Sequence, residues 1–325
     1  MPSSLPAIRS DDESGLALWH ESLHHAQHYA AAARAPSTRR AYAADWKAFQ
    51  VWCSERDINA LPADPRHVAL FLSDEAVRGL APASIGRRLA SIGLAHRQAG
   101  FLSPQQSEHG GILLEVLAGI RRSWRKLPSR KVAADADILR DLLRATPGND
   151  LKAIRDRAIL GFGMAGAFRR SELASLRMED ITRDPRGVRV RFSMSKTDQE
   201  GSGTVIAIPE GQRIRPIALL DAWLRASDIQ EGFIFRGVVS NKATVMRISD
   251  RGIARVVQRA AKAAGYDPAR FGGHSLRAGF VTAAARAGAS IFRMKDVSRH
   301  KSTDVLATYI REEQIFHHHA GDGFL

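Results

Sequence analysis

Residues 271–280, Phe-Gly-Gly-His-Ser-Leu-Arg-Ala-Gly-Phe, carry the most informative pattern in the chain. His274 and Arg277 stand three residues apart directly after two glycines. This spacing predicts the opening of a helix, with both side chains projecting together. The N-terminus of a helix attracts phosphate, and a guanidinium group can bind two phosphate oxygens at once. The stretch therefore predicts a phosphate-binding helix N-terminus.

Two other segments carry residues suited to the same chemistry. Arg169 and Glu172 lie three residues apart upstream, and His300 is followed nine residues later by Tyr309. A tyrosine becomes a useful nucleophile beside cations, and guanidinium groups stabilise the charge of a reacting phosphate. Each pattern alone has an ordinary explanation, as a surface ion pair or a half-buried tyrosine. Their combination points to a reaction at phosphate.

A short hairpin is predicted between these segments. Apolar residues alternate with arginines at 188–192 and alternate again at 206–208, on either side of a polar connection. Such alternation is typical of two antiparallel strands, and it places Lys196 where the hairpin turns. Residues 232–235 fit a short strand or a turn. Helical periodicity predicts the remaining elements, which are helices at about 135–146, 150–163, 249–264, 274–287, 290–298 and 302–312.

The first 124 residues show only helical periodicity. Proline- and glycine-containing breaks separate the predicted helices, which span 15–34, 37–56, 65–79, 83–99 and 108–123. Residues 1–14 are polar and are predicted to be disordered. A run with six cations, no acid and one proline follows at 121–131. It fits a solvated linker, a strap along a DNA backbone, or both.

The expected fold is mainly α, in two domains that are each long enough to bury a core. An all-helical N-terminal domain is predicted at 15–124, and a basic linker follows at 125–134. The second domain, at 135–312, is mostly helical with a small antiparallel sheet. A tail at 313–325 holds apolar residues that fit either a solvated terminus or a segment docked on a partner.

The composition favours a polyanionic partner. Lys and Arg outnumber Asp and Glu by 48 to 34, which gives a formal net charge of +14. No stretch approaches the ~20 apolar residues that span a membrane, and a cytoplasmic, nucleoid-associated protein is expected. The single cysteine, Cys53, lies in an apolar helical pattern and is predicted to be a buried structural thiol. Adjacent histidines at 317–319 cannot converge on one ion, so no metal site is predicted.

The reactive residues occur in an order and spacing that resemble the tyrosine site-specific recombinases, the phage integrase family. They are Arg169, Glu172, Lys196, His274, Arg277, His300 and Tyr309. The resemblance covers about residues 30–312 and implies a core-binding N-terminal domain followed by a catalytic domain. The N-terminal pattern looks most like that of phage recombinases within the family. One departure precedes His300, where the family usually has Leu-Gly and this chain has Ser298-Arg299.

The resemblance implies a mechanism. Tyr309 would attack the scissile phosphate, leaving a 3′-phosphotyrosyl bond and a free 5′-hydroxyl. Arg169 and Arg277 would hold the non-bridging oxygens, and Lys196 would protonate the leaving oxygen as general acid. Because the phosphodiester energy is kept in the covalent link, neither ATP nor a metal or other cofactor is expected.

The other three residues are expected to assist this reaction. His274 would help to take the tyrosine proton, and His300 would donate a hydrogen bond to the phosphate. Glu172 is acidic and cannot itself bind phosphate, so it is expected to orient Arg169 or a histidine.

The resemblance also implies the partners, which are double-stranded DNA with inverted half-sites and further copies of the chain. Two paired sites in a homotetramer would exchange strands through a Holliday junction. A relaxing enzyme of the type IB topoisomerase kind, or a non-catalytic DNA-binding protein of the same fold, is the alternative. Integration, excision, inversion and dimer resolution all fit the same residues. DNA contacts, or else solvated helix faces, are expected at Thr38, Arg39, Arg40, Ser84, Arg87, Arg88, Arg121, Arg122, Arg125, Lys126, Arg130 and Lys131.

Overall fold

The computed structural model describes residues 13–125, 131–192 and 203–313. The chain divides into two compact units, Met1–Pro128 and Ser129–Leu325. In the described ranges no helix is long and apolar enough to cross a membrane. Several predictions fall outside these ranges. They concern residues 1–12 of the segment predicted to be disordered at 1–14, residues 126–130 of the basic run, Lys196, and residues 314–325 of the tail.

The described part of the N-terminal unit contains helices joined by short connections, and no strands. Its helices are α1 (Glu13–Ala32), α2 (Pro36–Ser54), α3 (Pro65–Val77), α4 (Pro82–Gln98) and α5 (Gly111–Ser123). Three of them begin with proline, whose missing N–H would have no partner in the first turn of a helix anyway. Asp64 caps α3 by accepting a hydrogen bond from the backbone N–H of Arg66 at 2.8 Å.

Aromatic rings fill the core of this unit. Phe49 of α2 packs on Phe71 of α3 with ring centroids 5.1 Å apart, and Ile85 and Leu113 add buried side chains from α4 and α5. Cys53 is buried in the same cluster, and that burial raises its pKa to about 11. The thiol is therefore structural, as the sequence predicts.

The C-terminal unit combines helices with a three-stranded antiparallel sheet, β1-β2-β3. Its elements are α6 (Ala136–Arg144), α7 (Leu151–Ala165), α8 (Arg170–Ser175), β1 (Ile181–Asp184), β2 (Gly187–Phe192), β3 (Thr204–Pro209), α9 (Pro216–Ser227), β4 (Arg236–Val239), β5 (Lys242–Arg247), α10 (Asp250–Ala263), α11 (Ser275–Arg286), α12 (Ile291–Ser298) and α13 (Thr303–Glu313). Val188 pairs with Ile208 and Val190 with Ile206, and all four side chains are buried. The mainly α fold with a small antiparallel sheet is confirmed.

Three features differ from the sequence-based expectation. Strand β1 adds a third strand to the predicted hairpin. A second hairpin, β4–β5, follows residues 232–235, which form a short turn with one bridge, Arg177 to Phe233, in line with one of the two predicted alternatives. Helix α9 lies where no helix is predicted, although its signal is present in the sequence. Pro216 opens it, and Leu220 and Trp223 are buried at helical spacing.

Candidate active site

Arg277 extends from the first turn of α11 into the interior of the C-terminal unit. The residue is 2% exposed, and its Nη1 donates to the carbonyl oxygen of Ala167 at 2.8 Å. Its Nη2 is buried with no hydrogen-bond partner among the described residues. Burial lowers the pKa of Arg277 to about 9, which still leaves it charged at neutral pH. A buried cation with an unsatisfied N–H is costly, and an anionic ligand offsets that cost.

Two glycines let α11 approach its neighbours closely. A Cβ added to Gly279 would lie 1.9 Å from the carbonyl oxygen of Ala134, in the segment before α6. A Cβ added to Gly273 would lie 2.9 Å from the Cβ of Arg170, at the start of α8. Larger residues at either position would push α11 outward. The glycines thus keep Arg277 beside the residues that begin α8.

Arg169 and Glu172 form the N-terminal cap of α8 and an ion pair. The Glu172 carboxylate accepts hydrogen bonds from the Arg169 backbone N–H, at 2.8 Å, and from its guanidinium group. Burial acts to raise the pKa of Glu172, but the charge of Arg299 and the hydrogen bonds from Arg169 outweigh it, so the pKa is lowered. Glu172 is therefore ionised at neutral pH and holds Arg169 in place.

Arg299 completes this ion-pair group, although the sequence gives it no role. Its Nη2 donates to Oε2 of Glu172 at 2.7 Å, and its carbonyl oxygen accepts from Nη2 of Arg169 at 3.0 Å. Its backbone has φ of +55°, in the left-handed region that favours glycine. The sequence feature that could have indicated a role for Arg299 is its replacement of the glycine that usually precedes the histidine in this family.

Two histidines lie near the arginines. Nδ1 of His300 is 2.8 Å from Oγ of Ser298, a contact that the sequence did not suggest. Burial lowers the pKa of His300 to about 4, with further lowering by neighbouring arginines. The pKa of His274 is also lowered, by desolvation and then by Arg277 and Arg169. Both imidazoles are thus neutral at neutral pH, with one donor and one acceptor nitrogen each.

Tyr309 lies on α13, which packs against α11. Its half-buried ring packs against a cluster that includes Val281, Met294 and Leu306. The tyrosine is close enough to Arg277 for its charge to affect the pKa of that guanidinium group. The fold therefore brings the predicted nucleophile to one of the predicted phosphate ligands.

The charges of this group do not balance. In the described part of the unit, Arg169, Arg277 and Arg299 surround one carboxylate, that of Glu172. The repulsion is visible in the pKa values, since Arg169 acts to lower those of Arg277, Arg299 and both histidines. Cations that repel one another at close range are stabilised by an anion, and a phosphate group suits this arrangement.

The arginines expected to contact DNA from α4 have partners inside the protein. Nε of Arg87 pairs with Asp45 at 2.6 Å, and Nη1 of Arg88 pairs with Glu75 at 2.8 Å. Both carboxylates are 5% exposed and depend on these partners. Sequence reasoning missed both pairs. Lys126 and Arg130 lie outside the described residues, and Thr38 and Ser84 are partly buried. The exposed candidates are Arg39, Arg40, Arg87, Arg121, Arg122, Arg125 and Lys131.

The chain matches known proteins over most of its length. Residues 134–314 match the phage integrase family, and residues 24–97 match the phage integrase N-terminal SAM-like domain. The chain is 34% identical to the integrase/recombinase XerD homolog of Selenomonas ruminantium, over 87% of this chain and 84% of that protein. It is 25% identical to the recombinase Cre of Escherichia phage P1, over 82% of this chain and 81% of that protein.

A solved structure shows the same fold. A lambda integrase(75-356) dimer bound to a COC′ core site gives a TM-score of 0.59 at 20% identity, covering 90% of this chain and 94% of that one. The N-terminal pattern predicts that Cre is the most similar member of the family. The comparison does not confirm this, because the XerD homolog is more similar in sequence. The chain belongs to the phage integrase family, and it is a tyrosine recombinase, an enzyme that transfers DNA strands.

Proposed function

We propose that the protein is a site-specific recombinase that cuts and rejoins double-stranded DNA at inverted half-sites. It acts as a homotetramer on two sites, through a 3′-phosphotyrosyl intermediate and a Holliday junction. The observation that carries the proposal is the position of Arg277, whose buried Nη2 has no partner among the described residues and whose pKa is affected by both Arg169 and Tyr309. The net charge of +14 and the DNA-bound state of the lambda integrase dimer support DNA as the partner.

In the cleavage step, the Tyr309 oxygen forms a bond to phosphorus as the bond to the 5′-oxygen breaks. Arg169 and Arg277 hold the two non-bridging oxygens, whose charge grows in the transition state. Glu172 and the carbonyl of Ala167 fix these guanidinium groups beforehand. Fixed donors stabilise a transition state strongly because they do not have to reorganise. The phosphotyrosyl bond keeps the phosphodiester energy, so a second 5′-hydroxyl can reverse the step and rejoin a strand.

The neutral histidines have distinct proton roles. His274 accepts the proton of Tyr309, which requires an unprotonated imidazole, and its lowered pKa supplies one at neutral pH. A Ser298 hydroxyl that donates to Nδ1 of His300 leaves the proton on Nε2, which then donates to a phosphate oxygen. Lys196, outside the described residues, donates a proton to the leaving 5′-oxygen.

The test of the function begins with the target site. DNA bound by the Tyr309→Phe protein, selected from a random pool, is expected to contain a palindrome with a short spacer. Wild-type protein mixed with two such sites should then give Holliday junctions and recombinant products. Relaxed circles without recombinants would instead identify a topoisomerase. Binding without any strand cleavage would identify a non-catalytic DNA-binding protein.

Lys196→Ala is expected to slow cleavage of a normal phosphate by about 100-fold or more, the usual contribution of a general acid. A substrate with a 5′-thio leaving group should be cleaved at nearly the wild-type rate, because a thiolate leaves without a proton. Single-turnover cleavage of both substrates provides the measurement. An equal loss on both would exclude the general-acid role.

Truncation after Glu313 is expected to reduce assembly on paired sites by about tenfold or more, and to leave binding to one half-site unchanged. The reason is that the tail beyond α13 carries Ile315, Phe316 and Phe324, which suit docking on a neighbouring copy. Light scattering of the protein–DNA complexes measures the tetramer population. The same truncation in the Tyr309→Phe protein controls for effects of cleavage, and an unchanged tetramer population would contradict docking between copies.

A further inference from the structure

Arg299 occupies a position where its backbone is unfavourable for any residue with a side chain. Helix α12 ends at Ser298, and Arg299 follows with φ of +55° and ψ of 42°. Glycine adopts this conformation without a steric penalty, whereas other residues are strained there. An arginine at such a place needs compensating contacts from its side chain.

Those contacts are extensive. The Arg299 side chain is 9% exposed, and its guanidinium group donates to Glu172 and, through Nη1, to the carbonyl of Val297 at 2.7 Å. Nη1 also donates to the carbonyl of Gly166 at 3.3 Å. The guanidinium carbon lies 4.0 Å from the ring centroid of Phe192, the last residue of β2. One side chain therefore joins α12, α8, the end of α7 and β2.

The direction of the Arg299 side chain favours a positioning role over direct contact with DNA. The guanidinium group is turned into the protein and is engaged by a carboxylate, two carbonyls and an aromatic ring, so it is poorly placed to read a DNA groove. Its main partner, Glu172, is the residue that holds Arg169, and the Arg299 carbonyl accepts a second bond from Arg169. The backbone of Arg299 thus contacts Arg169 directly, and its side chain contacts Arg169's partner, Glu172.

We propose that Arg299 is a positioning residue that fixes the Glu172 carboxylate and, through it, the orientation of the Arg169 guanidinium group. This role rests on the proposed function, in which Arg169 binds the scissile phosphate. At this position the family usually has glycine, so this chain has an additional side chain that holds Glu172 and Arg169 in place. Arg299 itself does not contact the DNA.

The test compares four proteins in single-turnover formation of the covalent adduct on saturating target DNA. They are wild type, Arg299→Gly, Glu172→Gln and the double variant. Arg299→Gly suits the backbone conformation and should fold, with a rate reduced by about tenfold or more. Because Arg299 acts through Glu172, adding Arg299→Gly to Glu172→Gln should cost little more. Losses that multiply in the double variant would overturn the proposal and indicate direct contact with the phosphate.

The pH profile separates positioning from a general loss of structure. Glu172 faces Arg169 and Arg299, and its negative charge acts to raise the pKa of Arg277. Without Arg299, its pKa rises, so the carboxylate is protonated at a higher pH and the acid side of the profile moves upward. Loss of Arg299 also raises the pKa of His300, and the Glu172→Gln background isolates that contribution. A rate lowered by one factor at every pH would overturn the proposal.

Two control variants complete the design. Arg293→Ala removes an exposed cation from α12 and should leave the cleavage rate unchanged. Arg299→Lys keeps the charge but loses the planar fork, and it should restore part of the rate.

If wild type forms no adduct, the proposed function fails together with this role. If wild type and Arg299→Gly are equally active, the positioning role alone fails.

Discussion

Replacing Tyr309 by phenylalanine is expected to abolish the covalent protein–DNA adduct and to leave DNA affinity unchanged. Phenylalanine keeps the ring that packs on the cluster of α11, α12 and α13, but it lacks the oxygen that bonds to phosphorus. The adduct is measured on a denaturing gel with a selected target site, and the affinity by titration of the same DNA. An adduct formed by the variant would contradict the nucleophile assignment.

Tyr266→Phe provides the matched control for this change. Tyr266 lies in the same unit, and its hydroxyl donates to Asp141 at 2.7 Å. Loss of that hydrogen bond is expected to cost about 1 kcal/mol in the free energy of unfolding, without affecting the adduct. A comparable loss of adduct in both variants would show that the gel reports stability rather than the nucleophile.

Replacing Arg277 by lysine is expected to slow cleavage at saturating DNA by about 100- to 1000-fold, the usual effect of removing one fixed donor from a transition state. The guanidinium group donates to Ala167 with one nitrogen and leaves the other buried and unsatisfied. A lysine ammonium lacks the planar fork and cannot hold both positions. Single-turnover kinetics measures the effect, and a rate within a few-fold of wild type would exclude Arg277 as a phosphate ligand.

Arg155→Lys is the matched control for burial. Arg155 is 5% exposed, and its Nη2 donates to Asp156 at 2.7 Å. The substitution is expected to lower the thermal stability, because it weakens a buried ion pair, while cleavage by the folded protein stays at the wild-type rate. Thermal unfolding of both variants then separates a loss of structure from a loss of chemistry.

The helices of the N-terminal unit could be predicted closely from the sequence. The expected helix at 37–56 is found at Pro36–Ser54, and the expected helix at 65–79 is found at Pro65–Val77. Apolar periodicity and proline positions are local signals, and they determine a helix when no tertiary contact overrides them. Helix α9 shows the limit of these signals, because its short apolar stripe lies between two segments with strand-like alternation and is not predicted as a helix.

The sequence indicates which residue types form the candidate site, but not the contacts among them. The three-residue spacing of Arg169 and Glu172 predicts that they contact each other, and they do, with Arg169 as the residue that precedes α8. Arg88 was expected at a DNA groove, and its ion pair with Glu75 was not foreseen. That pair joins two helices, and no periodicity within either helix contains it.

The sequence by itself determined the mainly α fold, the basic character and the set of candidate reactive residues, because periodicity and residue chemistry are properties of short segments. Only the tertiary structure decided which of those residues meet. It joined Arg299 to Glu172 and Arg277 to Ala167, across separations of 127 and 110 residues. Such contacts depend on how helices pack. The sequence shows that α11 has glycines, but only the folded chain shows which segments pack closely against them.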